Sequence, residues 1–104
     1  VLFRSNGSGL AGHNNAGGIS VDGKDLNNGG LFTGSPYPKT DAAWQKATPQ
    51  ERCDAVIIHE NTERVNGVNH EAAIRKSPAE GKKQGVSQNS QDILDAMNDE
   101  SVGV

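Results

Sequence analysis

Large apolar residues are scarce in this 104-residue chain: Leu, Ile, Val and Phe number 20, and aromatic residues make up 4%. A chain of this length buries roughly 65% of its unfolded surface, so one thin core is possible and two are not. The longest unbroken aliphatic run, Ala55-Val56-Ile57-Ile58, falls far short of a membrane span. A single cysteine, Cys53, excludes an internal disulfide and any CxxC metal or redox pair. Excess charge is missing too: 10 Lys and Arg stand against 13 Asp and Glu, and a pI near 5.5 leaves no global electrostatic footprint for nucleic acid. The apolar shortage borders on a disordered composition, but that class also needs a high net charge, and this chain carries −3. No charged-then-apolar run of the signal-peptide kind stands at its start. Residues 1–5, Val-Leu-Phe-Arg-Ser, instead match one reading frame of a common sequencing-adapter end, GTGCTCTTCCGATCT. They are expected to be foreign to the protein, which makes the chain a fragment.

What is present divides into two halves. Residues 6–40 hold 9 of the 13 glycines, the pairs Asn14-Asn15 and Asn27-Asn28, and four charges. Gly and Asn tolerate positive φ, so this stretch reads as turns and short strands. Asp22-Gly23 suits a type I′ turn inside Ile19-Ser-Val-Asp-Gly-Lys-Asp-Leu26, which predicts a hairpin that must pack on the second half to be stable. The second half is helical by its punctuation. Thr40 or Asp41 can cap a short helix carrying Trp44. Thr48-Pro49-Gln50-Glu51 is the strongest local signal: Thr48 caps, Pro49 opens the first turn, and Glu51 completes a capping box. That helix should run to Val65 or Asn66 and stop at Gly67. Asn69 can cap a third helix ending before Ser77-Pro78, residues 80–85 read as a polar loop, and Ser87 opens a last helix carrying Ile93, Leu94 and Met97. Residues 99–104 read as a frayed tail.

The chemistry gathers on the long helix. His59-Glu60-Asn61-Thr62-Glu63 is an HExxE pattern. In metal-dependent hydrolases an HExxH helix offers two ligands at i and i+4, while the intervening glutamate polarises a water. Here Glu63 takes the place of the second histidine, and His70, just past the Gly67 turn, can swing back. The expected metal ligands are therefore His59, Glu63 and His70, with Glu60 as base and zinc as the suited ion. Two other readings stand beside this one. His59–Glu63 and Glu60–Arg64 are also ordinary i,i+4 helix pairs. Without a metal, His59 or His70 beside a glutamate serves general acid–base catalysis equally well, including in RNA cleavage. Cys53, four residues from Ile57 on the apolar side, reads as packing, and His13 as loop. Gly7-Ser-Gly-Leu-Ala-Gly12 lacks the Lys-Ser/Thr of a phosphate loop. Arg75-Lys76 and Lys82-Lys83 form a small basic patch near His70, a solvated face that could also hold a phosphate backbone.

Residues 42–97 resemble a C-terminal segment of bacterial polymorphic toxins, the effector ends of Rhs-type and filamentous-haemagglutinin-type secreted proteins. The shared pattern is a Trp-containing short helix, TPQER, VIIHENTE, a Gly turn, NHEAAIRKSP, and a Ser-capped helix ending ILDAM. It covers about half the chain, and the spacing of the two His-Glu pairs is its most specific part. The resemblance implies a domain secreted as part of a larger bacterial protein, a cognate immunity protein, and nuclease or other hydrolytic activity. It offers His59, Glu60, Glu63 and His70 as positions to test. There is no HExxH, no HNH-type signature and no delivery region.

The expected fold is a small α+β domain, with a Gly/Asn-rich loop and hairpin over residues 6–40 packed on three to four short helices over residues 41–98. The expected function is hydrolysis, of a phosphodiester before a peptide bond, by Glu60, His59 and His70 with or without a divalent ion. The rival is a non-catalytic structural or interaction module of a larger secreted or phage protein.

Overall fold

Helix punctuation decides most of this architecture. The computed structural model describes residues 12–15, 18–67 and 69–101, with side chains from Val21 to Gly67 and from Asn69 to Glu100. Five helices account for most of it: α1 (Gly23–Asn27), α2 (Pro38–Lys46), α3 (Pro49–Val65), α4 (His70–Gln84) and α5 (Gln88–Ser101). The only strand pairing among the described residues is an antiparallel ribbon, β1 (Gly12–Asn15) with β2 (Gly18–Val21), Gly12 facing Val21. The ribbon lies against α3 and forms no sheet layer.

The fold is therefore a helical globule, and the α+β expectation is wrong. Its error lies at Asp22-Gly23. Asp serves turns and helix N-caps alike. Here the Asp22 carboxylate accepts from Lys24 N at 2.9 Å and starts α1, so no hairpin turn forms there. Residues 19–21 do pair as a strand, but with the segment before them.

The α3 N-terminus is as expected. Thr48 Oγ1 accepts from Glu51 N at 3.2 Å, and Glu51 Oε1 accepts from Thr48 N at 2.9 Å. At the other end Gly67 adopts φ 71°, which an L side chain resists. Two helices run longer than their sequence signals. α4 passes through Pro78 and ends at Gly85, so the expected stop at Ser77-Pro78 and the loop over residues 80–85 are corrected. A proline inside a helix costs about 3 kcal/mol, and α5 supplies compensation. Gln91 Nε2 donates to the Pro78 carbonyl at 2.8 Å, and a Cβ on Gly81 would lie 2.7 Å from Gln91 Oε1 and 2.8 Å from Leu94 Cδ1, so a larger residue there would have to push both side chains aside. α5 continues to Ser101 in place of a frayed start at residue 99. Its Glu100 carboxylate takes the backbone N–H groups of Lys39 and Thr40 at 3.0 and 2.6 Å, capping α2 from across the molecule. Residues 102–104 lie outside the described part, as do residues 1–11.

Trp44 is fully buried at the centre of the core, with Phe32 edge-on at 5.1 Å and Ala55, Val56, Ile74, Ile93, Leu94 and Met97 around it. Of the residues whose apolar character and spacing mark them for a core in the helical half (Trp44, Cys53, Val56, Ile57, Ile93, Leu94 and Met97), Trp44, Val56, Ile93, Leu94 and Met97 are buried. Ile57 is 42% exposed and Cys53 only half-buried. The residues that α3 buries are Arg52, Ala55, Val56, His59, Glu60, Thr62 and Glu63; all but Thr62 follow an i, i+3, i+4 series, and four of the seven are ionisable. Ranking by hydrophobicity rotates the helix towards Ile57.

Glu51 also ties α3 to α5. Its carboxylate accepts from Ser87 Oγ at 2.7 Å and Asn89 Nδ2 at 3.2 Å, and its carbonyl accepts from Ser90 Oγ at 2.8 Å. The Thr48 backbone N–H first, then Ser87 and Asn89, lower its carboxyl from an ordinary 4.5 to about 2. A depressed carboxylate stabilises the fold above its unfolded value and loses that contribution as pH falls through its folded value. Acid titration followed by circular dichroism should therefore show stability falling between pH 4.5 and about 2. Glu51→Gln should flatten that limb, leaving the smaller part from Asp92, which Lys46 also holds below its ordinary value.

Candidate metal centre

The ionisable end of the α3 stripe meets the first residue of α4. Asn69 caps α4 through its side chain, which accepts from Ala72 N at 3.0 Å, and so fixes where His70 begins the helix. The chain reverses over Asn66 and Gly67, and Lys76 Nζ donates to Asn66 Oδ1 at 2.6 Å across that turn. His70 is thereby brought back over the last turns of α3. Its ring lies 5.0 Å from that of His59, edge-on at 69°.

Glu63 is the shared vertex. Its Oε2 lies 3.4 Å from His59 Nε2 and 3.3 Å from His70 Nδ1. One ligating atom each from His59, Glu63 and His70 falls within 4.8 Å of the others, so the group could hold a metal ion. Bonds of about 2.0–2.1 Å to a tetrahedral ion put adjacent ligand atoms about 3.3–3.4 Å apart, which is the spacing of both Glu63 contacts. Glu60 Oε2 is 3.5 Å from His59 Nε2, while Glu60 is not one of the three grouped residues. It stands beside the ligand set, where the sequence pattern places a base.

His59, Glu60 and Glu63 are fully buried, and only His70 has partly exposed side-chain surface, at 22%. Burial first, then the neighbouring His59, holds the His70 imidazole below its ordinary value against the opposing pull of Glu63. The neutral ring is the form that binds a metal. His70 Nε2 is shielded and has no hydrogen-bond partner among the described residues.

All four residues named from the sequence are thus brought together. The second His-Glu dipeptide does not act as a pair: Glu71 is exposed and bonds Arg75 at 2.9 Å. Arg75, Lys76, Lys82 and Lys83 all lie exposed on α4. Burial, then Asp54, pushes the Cys53 thiol up, which suits packing and opposes nucleophilic use. The side chain of His13 and most of residues 7–12 lie outside the described part. No helix among the described residues is long and apolar enough to cross a membrane.

Sequence reasoning missed Arg52. It is 5% exposed and its guanidinium bonds three carbonyls: Trp44 at 2.8 Å, Leu26 at 2.9 Å and Gln45 at 3.3 Å. The signal was its place four residues before Val56 and seven before His59. Fold and site together define a small helical domain with a buried His-Glu-His group able to take a metal. Comparison with known protein families, curated proteins and solved structures gave no match to this chain.

Proposed function

We propose that this domain is a metal-dependent hydrolase, the effector end of a larger secreted bacterial protein, with zinc held by His59, Glu63 and His70. The observation that carries the reading is the spacing of those three ligating atoms across two helices, with the Glu60 carboxylate 3.5 Å from His59 Nε2. Three protein ligands leave a fourth position open on a tetrahedral ion, and such an ion lowers the pKa of water to about 7. In this reading Glu60 accepts the proton, and substrate reaches the centre from the side of His70, whose side chain is partly exposed. The exposed Lys76, Lys82 and Lys83 of α4 favour an anionic substrate, a nucleic-acid phosphodiester, over a peptide. The effector role and a cognate immunity protein rest on the resemblance of residues 42–97 alone.

A second reading, a structural ion in a non-catalytic module, draws on the full burial of His59, Glu60 and Glu63, since structural centres are closed. Glu60→Gln separates the two. The hydrolase reading expects zinc affinity to stay within about threefold while cleavage of DNA or RNA, and growth arrest on expression in a bacterial host, fall by about 100-fold or more. Equal growth and equal cleavage by both forms would favour the structural ion.

A further inference from the structure

We propose that two copies of this chain associate through the outer face of α3, the two helices running antiparallel and level at His59. The contact is independent of the metal reading, whose residues lie on the buried face of the same helix.

The face that α3 turns away from the core has a pattern of its own. Gln50, Asp54, Ile57, Asn61 and Arg64 follow one another at intervals of four, three, four and three residues, the spacing of a coiled-coil seam. Asp54 is half-buried and the other four are exposed. Ile57 is 42% exposed, and Val65, at the edge of the seam, 78%. These are the exposed large hydrophobic residues among those described. The ribbon packs on α3 and still leaves both of them open.

Charge identifies the occupant as a second copy. Asp54 and Arg64 stand five residues to either side of His59, and Ile57 and Asn61 stand two to either side. An antiparallel copy centred there puts Asp54 level with the partner's Arg64, and Ile57 level with the partner's Asn61. Each layer occurs twice, so the patch is complementary to itself, as a two-fold interface requires. A parallel copy would set like charges against each other at both ends of the seam. A guanidinium carries five N–H donors, so Arg64 can take up the partner's carboxylate alongside contacts within its own chain. The seam from Gln50 to Arg64 is only about 21 Å long, and Ile57 is its one aliphatic member. Such a contact is smaller than a standard interface and should dissociate near about 100 μM.

The test is sedimentation velocity of the whole chain from about 10 to about 1,000 μM, with circular dichroism confirming that each variant is folded. A monomer–dimer equilibrium is expected for the parent. Asp54→Arg and Arg64→Asp should each weaken it at least about tenfold, and the double reversal should return it to within about threefold of the parent. Asn61→Leu, which replaces the central polar residue of the seam, should tighten it about tenfold or more. A monomer at every concentration, a dimer indifferent to either single reversal or to Asn61→Leu, or a double reversal no better than the singles would overturn the proposal.

Discussion

Glu63→Gln is expected to abolish the stabilisation of this domain by zinc and to cost the metal-free protein much less. The carboxylate supplies the one oxygen in the ligand set and touches both histidines, at 3.4 and 3.3 Å. Glutamine keeps the shape and the hydrogen bonding but is a poor ligand, so zinc affinity should drop by about 100-fold or more. An ion present at 1,000 times its Kd adds about 4 kcal/mol to a fold, most of the stability of a small domain. The variant should lose that increment. Without metal the effect is smaller. The glutamine amide still fills the site beside both histidines, so the loss in chelator should be well below the loss in zinc. Thermal melts of both forms, with zinc and with chelator, read this directly. If Glu63→Gln is equally destabilising in both conditions, Glu63 is only a structural carboxylate.

Arg52→Met is expected to destabilise the domain by about 3–5 kcal/mol, whether or not metal is present. Methionine matches the aliphatic stem, so the loss isolates the guanidinium. That group closes the C-terminal ends of two helices at once, taking Leu26 O near the end of α1 and Trp44 O and Gln45 O at the end of α2. The Trp44 carbonyl also accepts from Ala47 N at 3.2 Å, so the loss falls mainly on the Leu26 and Gln45 carbonyls, and a cation there also complements the helix dipole. Its carbon Cζ lies 5.4 Å from the centre of the Trp44 ring, adding a cation–π contact. Arg52→Lys keeps the charge without the planar fork and should recover less than half of the loss. Urea unfolding measures both. A Met variant within about 1 kcal/mol of the parent would mean that water replaces all three bonds.

These two residues also show what the sequence could and could not reveal. The HExxE spacing and the cap before His70 are local facts, readable from i, i+4 geometry and a Gly67 turn, so the site was legible before the fold. The α3 N-terminus was legible for the same reason. The buried face of α3 was not. Its stripe begins with Arg52 and ends with Glu63, and hydrophobicity alone selects Ile57, which the fold leaves exposed. Knowing that Arg52 faces inward requires the carbonyl ends of α1 and α2, which are tertiary information. Pro78 misleads in the same way, because its cost is offset from α5, by the Gln91 bond to its carbonyl and by packing on Gly81. Asp22-Gly23 fits a turn and a helix cap equally well, and the ribbon partner that decides between them lies earlier in the chain.

The central claim is that His59, Glu63 and His70 bind one ion. Isothermal titration of zinc into the whole metal-free chain, repeated with Glu63→Gln, tests it most directly, with ferrous iron in parallel because two histidines and a carboxylate suit both ions. The account predicts one equivalent of zinc bound with a Kd below about 1 μM, and no such transition in the variant. Zinc binding of equal strength and stoichiometry in both proteins, or none in either, would contradict it.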